Sequence, residues 1–156
     1  MAEIVEAFKN IVGEANVLTK EMDTAYYRSG FRCGFGGAKA VVFPSTLVEQ
    51  WKVLQVAVDA GCAIIMQAAK TGLTGGSSPS GFDYDRDVVI INVSRLRGLH
   101  LLREGAQALA FPGTTLFELS EELKKIDRVP PSVLGSTTIG ATVIGGVANT
   151  AGGAVC

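Results

Sequence analysis

The glycines of this chain are unevenly placed, and their placement limits the fold more than any other feature. Most of the nineteen fall within residues 30–37, 72–81 and 135–153, between apolar segments with clear periodicity. Glycine gathered in this way marks shaped loops, where the backbone turns sharply or comes close to a ligand, and not a disordered linker. The spacers between the clusters are therefore expected to be regular elements of one compact domain, with enough length to bury a core.

Ile4, Ala7, Phe8 and Ile11 have helical spacing, so residues 3–12 read as a short amphipathic helix. A loop follows, then a polar helical turn over 23–28, and an irregular connector over 30–39. Residues 40–43 are a short buried strand stopped by Pro44. Thr46 and Glu49 have capping-box spacing for a helix with a core stripe of Leu47, Trp51, Leu54 and Val58, which Gly61 ends. Residues 63–67 and 87–93 are two more strands. The first two strands and their helix form a βαβ unit, which predicts a parallel sheet. Beyond residue 99 the pattern changes to a hairpin, 99–103 with 107–111. Thr115 and Glu118 then open another helix, with Leu116, Leu119, Leu123 and Ile126 on one face.

Several function classes are excluded early. Net charge is −1 and there is no run of Lys or Arg, so nucleic-acid binding has no electrostatic footprint. The acidic N-terminus is wrong for a secretory signal, and no stretch reaches the ~20 apolar residues that cross a bilayer. Residues 139–155 are apolar, but too short and too rich in glycine to span. Cys33, Cys62 and Cys156 lack metal-ligand spacing and are odd in number, which fits reduced thiols. Asp83, Asp85 and Asp87 imitate the start of a calcium loop. The sixth position is Val88 and the twelfth Ser94, so a solvated approach to the third strand is the better reading. His100, the single histidine, lies among leucines with no nucleophile beside it and reads as structural.

Two glycine-rich loops remain. The run Gly72-Leu73-Thr74-Gly75-Gly76-Ser77-Ser78 directly follows an apolar strand. Its backbone N–H groups and hydroxyls suit a phosphate or pyrophosphate, although a plain tight turn would look the same. Neither GxGxxG nor GxxxxGK[ST] is present. The second run, residues 135–146, reads equally as ligand contact or as close packing against a sheet. Two such runs on one short chain favour a long ligand held from two sides, such as a dinucleotide.

Five runs carry a resemblance. They are Val41-Val42-Phe43-Pro44, Met66-Gln67-Ala68-Ala69-Lys70-Thr71-Gly72-Leu73-Thr74, Asp83-Tyr84-Asp85-Arg86-Asp87-Val88-Val89-Ile90-Ile91, Phe111-Pro112-Gly113-Thr114-Thr115-Leu116 and Ile139-Gly140-Ala141-Thr142-Val143-Ile144-Gly145-Gly146. Together they resemble the FAD-binding domain of the vanillyl-alcohol oxidase/p-cresol methylhydroxylase flavoproteins, in particular the bacterial members that oxidise D-lactate with quinone.

The resemblance implies an α+β fold of the p-cresol methylhydroxylase type, with a small parallel βαβ subdomain beside an incomplete antiparallel one. Residues 1–39 would be an N-terminal helical segment, and 40–156 an FAD-binding domain truncated at its C-terminal end. It places Ala68, Ala69, Lys70, Thr71, Gly72, Gly76 and Ser77 on the pyrophosphate, with further contacts from Gly135, Thr142 and Gly152. Lys70 and Gly75 depart from the family pattern, which has a small polar residue at the first. FAD would be non-covalent, because neither loop has His, Cys or Tyr. The implied reaction oxidises D-lactate or a related 2-hydroxy acid to the keto acid and passes electrons to quinone. Its base is expected in a later C-terminal cap domain, so no catalytic residue is assigned and the fragment alone is expected to be inactive. The implied location is cytoplasmic, peripheral on the cytoplasmic face of the inner membrane. Two other readings stay open: another 2-hydroxy-acid or alcohol oxidoreductase of the same fold, and a non-redox nucleotide-binding module.

Overall fold

The structure is a computed structural model that describes residues 3–130 and 133–152. Cys156 lies outside the described residues. The chain divides into two compact units, one ending at Arg95 and the other beginning at Leu96.

The first unit contains α1 (Glu3–Val12), β1 (Val17–Leu18), α2 (Glu21–Arg28), β2 (Ala40–Val42), α3 (Leu47–Asp59), β3 (Ala63–Gln67) and β4 (Val88–Asn92). Its sheet has the order β1-β2-β4-β3. β2 and β3 both run parallel to β4, with Val41 opposite Ile90 and Ile64 opposite Val89. The parallel sheet is as expected, but β2 and β3 are not neighbours, because β4 lies between them. β1 falls where the sequence predicts a loop. It is two residues long, too short to show a period, and pairs antiparallel with β2 at Val17 and Val42.

The central strands explain the core. β2 and β4 are buried along their whole length, whereas β3 on the edge is half-buried with Met66 exposed. The assigned core stripe of α3 is a correction. The helix buries Val53 and Ala57, and leaves Trp51 62% exposed and Val58 56% exposed. The sequence of α3 carries apolar residues on more than one face, so periodicity alone does not fix its rotation. The small Val53/Ala57 face allows close approach to the β-branched surface of β3 and β4. Phe8 of α1 is fully buried, and α1 packs on α3.

The second unit contains β5 (Leu99–Leu102), β6 (Gln107–Ala110), α4 (Leu116–Lys124) and α5 (Val143–Ala148). β5 and β6 form the expected antiparallel hairpin. α4 opens with a complete capping box. Thr115 Oγ1 accepts from the Glu118 N–H (3.1 Å), and Glu118 Oε2 accepts from the Thr115 N–H (2.7 Å). Leu119 and Leu123 are buried, but Ile126 lies past the helix end and is 41% exposed.

Candidate functional site

The strands β2, β4 and β3 point their C-terminal ends the same way, and ligands of open parallel sheets bind beyond that edge. The loop leaving β3 there carries Ala68, Ala69, Lys70, Thr71, Gly72, Gly76 and Ser77 together.

Two side chains that sequence reasoning passed over fix the base of this loop. Gln67 and Asn92, the last residues of β3 and β4, are each only 2% exposed. Gln67 Nε2 donates to the carbonyl of Ser77 (2.6 Å) and to that of Tyr27 (2.8 Å). Asn92 Nδ2 donates to Gln67 Oε1 (3.1 Å) and to the carbonyl of Ala68 (3.2 Å). The two ends of the loop, Ala68 and Ser77, are thus pinned by one buried amide pair. Its only signal in the sequence is an amide ending each of two apolar strands, Ala63-Ile64-Ile65-Met66-Gln67 and Val88-Val89-Ile90-Ile91-Asn92.

Within the loop, Gly75 has φ +76° and accepts from the Ser78 N–H (3.2 Å). Gly72 and Gly76 are different. Neither has a positive φ, and an added Cβ would meet nothing within 4 Å at Gly72 and only Thr74 Oγ1, at 3.9 Å, at Gly76. The loop's own packing therefore does not require glycine at either place. This open space beside bare backbone suits an anion held close to peptide N–H groups.

Lys70 does not project freely toward that space. Its Nζ donates to the carbonyls of Tyr26 and Ser29 (2.8 Å to the latter) and sits 3.6 Å from the centroid of the Tyr26 ring. Burial pushes its ammonium below the usual lysine range. The residue also has a left-handed backbone, φ 56°.

A second loop, residues 29–37, packs against the first. Gly30, Gly34 and Gly36 approach Cys33, Ser78 and Gly81 too closely for a Cβ. At Gly36 it would lie 2.2 Å from the Gly81 carbonyl oxygen. Cys33 Sγ lies 3.4 Å from the carbonyl of Leu73.

Gly135, Thr142 and Gly152 lie in the second unit. Thr142 is the N-cap of α5, its Oγ1 accepting from the Gly145 N–H (3.1 Å), and it bridges Thr115. An added Cβ at Gly135 meets nothing within 4 Å, as at Gly72. Gly152 lies in the irregular stretch after α5.

The remaining candidates carry no site. Asp85 pairs with Arg86, and Asp87 with Lys39. No group of three metal-ligating side chains converges among the described residues. His100 is exposed on β5, edge-on to Phe111 at 6.5 Å. Among the described residues no helix is long and apolar enough to cross a membrane.

Residues 38–156 match the family model described as the FAD binding domain. The chain belongs to this FAD-binding domain family. It is 56% identical over 145 residues to the quinone-dependent D-lactate dehydrogenase of Escherichia coli (strain K12), a match covering 93% of this chain and 25% of that protein. It is 50% identical over 151 residues to the protein of the same name from Corynebacterium glutamicum, covering 97% of this chain and 26% of that one. The chain thus spans about a quarter of the length of these relatives.

Among solved structures, alkyldihydroxyacetonephosphate synthase matches with a TM-score of 0.84 at 18% identity, over 98% of this chain and 31% of that one. p-Cresol methylhydroxylase with substrate bound matches with a TM-score of 0.72 at 17% identity, over 94% and 28%. These likenesses concern the fold, which is the α+β, p-cresol methylhydroxylase-type arrangement expected from the sequence.

Proposed function

We propose that this chain is the FAD-binding part of a quinone-dependent D-lactate dehydrogenase, and that its two glycine-rich regions hold the dinucleotide. The observation that carries the reading is 56% identity to a relative of that name along 93% of this chain. The open Cβ directions at Gly72, Gly76 and Gly135 support it, because they leave backbone accessible on both loops.

In this reading Ala68, Ala69, Lys70, Thr71, Gly72, Gly76 and Ser77 surround the pyrophosphate, chiefly through backbone N–H groups and the Thr71 and Ser77 hydroxyls. The Gln67–Asn92 pair keeps the ends of that loop together, so little ordering is left to the moment of binding. Gly135, Thr142 and Gly152 supply the second set of contacts. The Thr142 oxygen accepts the α5 cap bond, and its O–H remains a donor for a phosphate oxygen. Bound FAD supplies the acceptor for the electrons that leave the hydroxyl carbon of D-lactate. This reading assigns the base that takes the hydroxyl proton to a cap domain outside this chain, in keeping with the quarter of the relatives' length that the chain spans. The substrate D-lactate, the quinone acceptor and a peripheral position on the cytoplasmic face of the inner membrane belong to the same reading.

The test is anaerobic addition of D-lactate to the purified full-length gene product. Flavin absorbance that bleaches with D-lactate and returns with quinone is the expected result. A protein without flavin, or flavin that D-lactate leaves oxidised, overturns the proposal.

A further inference from the structure

We propose that Lys70 is a positioning residue of the dinucleotide loop, holding its binding shape by clasping the carbonyls at the end of α2 and making no phosphate contact through its ammonium. The inference rests on the FAD reading above and adds a division of labour within the loop.

The last turn of any helix leaves carbonyl groups without intrahelical partners. In α2 (Glu21–Arg28) three carbonyls at this end, those of Tyr26, Tyr27 and the C-cap residue Ser29, accept from side chains of the β3 region. Gln67 takes the Tyr27 carbonyl, and Lys70, three residues further on, takes those of Tyr26 and Ser29. A cation at a helix C-terminus is favourable, and the face of the Tyr26 ring 3.6 Å away adds to that attraction. One ammonium group therefore completes the helix end and fixes the loop to it.

The backbone supports the same assignment. Lys70 has φ 56°, a region that residues with a Cβ rarely enter without a compensating interaction. Reach and direction of the ammonium are spent on the helix end, while the anion space opens at Gly72 and Gly76 on the far part of the loop. Without the clasp the loop would leave this conformation for part of the time. Apparent affinity falls in proportion to the competent fraction, so a fall to about one-tenth raises the Kd about tenfold.

The experiment titrates FAD into the FAD-depleted full-length gene product, following quenching of flavin fluorescence at low and high salt, with thermal unfolding recorded for each variant. Lys70→Met is expected to raise the Kd about tenfold while keeping the wild-type salt dependence. Lys70→Arg should recover most of the affinity, since a guanidinium also reaches carbonyls. Lys70→Gly, which relieves the backbone but lacks the clasp, should bind as weakly as Lys70→Met. A wild-type Kd in Lys70→Met or in Lys70→Gly overturns the clasp. A weak Lys70→Met with a flatter salt dependence shows a direct phosphate contact and overturns it equally. Should Lys70→Met unfold, Lys70→Arg and Lys70→Gly decide the matter. Wild-type protein that binds no FAD refutes the cofactor reading itself, a result none of the variant outcomes imitates.

Discussion

Replacing Gly72 or Gly76 by Val separates a ligand-holding loop from a turn. Neither residue has a left-handed φ, and the new Cβ meets nothing within 4 Å at Gly72 and only Thr74 Oγ1 at 3.9 Å at Gly76. The cost to the fold should therefore stay within about 0.5 kcal/mol, and removing glycine from the unfolded chain offsets part of it. The cost to binding is set by the ligand. An isopropyl group in the open space keeps an anion from two or three backbone N–H groups, each worth about 1.5 kcal/mol to a charged acceptor. The loss is about 3–4.5 kcal/mol, or two to three orders of magnitude in Kd. Gly36→Ala is the contrasting control, because its methyl would sit 2.2 Å from the Gly81 carbonyl oxygen and force the backbone apart. The assay is flavin content per protein in the purified full-length variants, with circular dichroism and thermal unfolding alongside. Gly72→Val and Gly76→Val should be folded and flavin-free, and Gly36→Ala should melt earlier. Normal flavin in both valine variants would reduce the loop to a connection.

Four further outcomes are expected. FAD should be released into the supernatant by acid precipitation. Because Cys33 Sγ comes within 3.4 Å of the Leu73 carbonyl, the same test on Cys33→Ser excludes a thioether, and colour retained in the wild-type pellet refutes non-covalent binding. Thr115→Ala should cost about 1 kcal/mol in urea unfolding at neutral pH. The Thr115 backbone N–H bond, first among several causes, lowers the Glu118 carboxyl from its ordinary value, so that stabilisation is present above the usual glutamate range and lost as pH falls below about 4. The penalty of Glu118→Gln should thus shrink as pH falls from neutral through the lowered Glu118 value, and an unchanged penalty across an acid titration would refute the cap's ionic character. Cys62 should be alkylated more slowly than exposed Cys33, since burial and then Asp87 push its thiol up; peptide mass mapping over time checks the order.

What was legible in the sequence had a local cause. Thr115 and Glu118 announce α4 because the capping box is made by residues three apart, and α1 follows from a single apolar stripe. The loop after β3 was legible as a loop because an apolar strand there runs directly into glycines, which end regular structure. The failures are non-local. α3 carries apolar residues on more than one face, and only the sheet, assembled from strands some 50 residues apart in sequence, selects Val53 and Ala57 over Trp51 and Val58. β1 is two residues that become a strand only beside β2. Gln67 and Asn92 read as ordinary strand ends, since nothing in either segment reveals that parallel pairing places one amide opposite the other.

The same non-locality explains why the segment before the family match belongs to the site's framework. The match begins at residue 38, yet carbonyls of Tyr26, Tyr27 and Ser29 hold Lys70 and Gln67, and Gly36 pairs with Gly81. Arg28, 5% exposed, donates to the Gly36 carbonyl (3.2 Å) and lies 5.3 Å from the Phe35 ring, which ties the end of α2 to residues 35 and 36. Each contact is single and modest. Those of Gln67 and Lys70 restrict the loop over 68–77 directly, and those of Arg28 and Gly36 hold the neighbouring loop and the approach to Gly81, so together they remove conformations that a ligand would otherwise have to exclude. A loop rich in glycine has the most such conformations to lose. If the loop holds FAD as proposed, the open backbone at Gly72 and Gly76 and the restraints behind it are two requirements of one design: glycine gives access, and the polar contacts from the preceding segment give the order that glycine cannot.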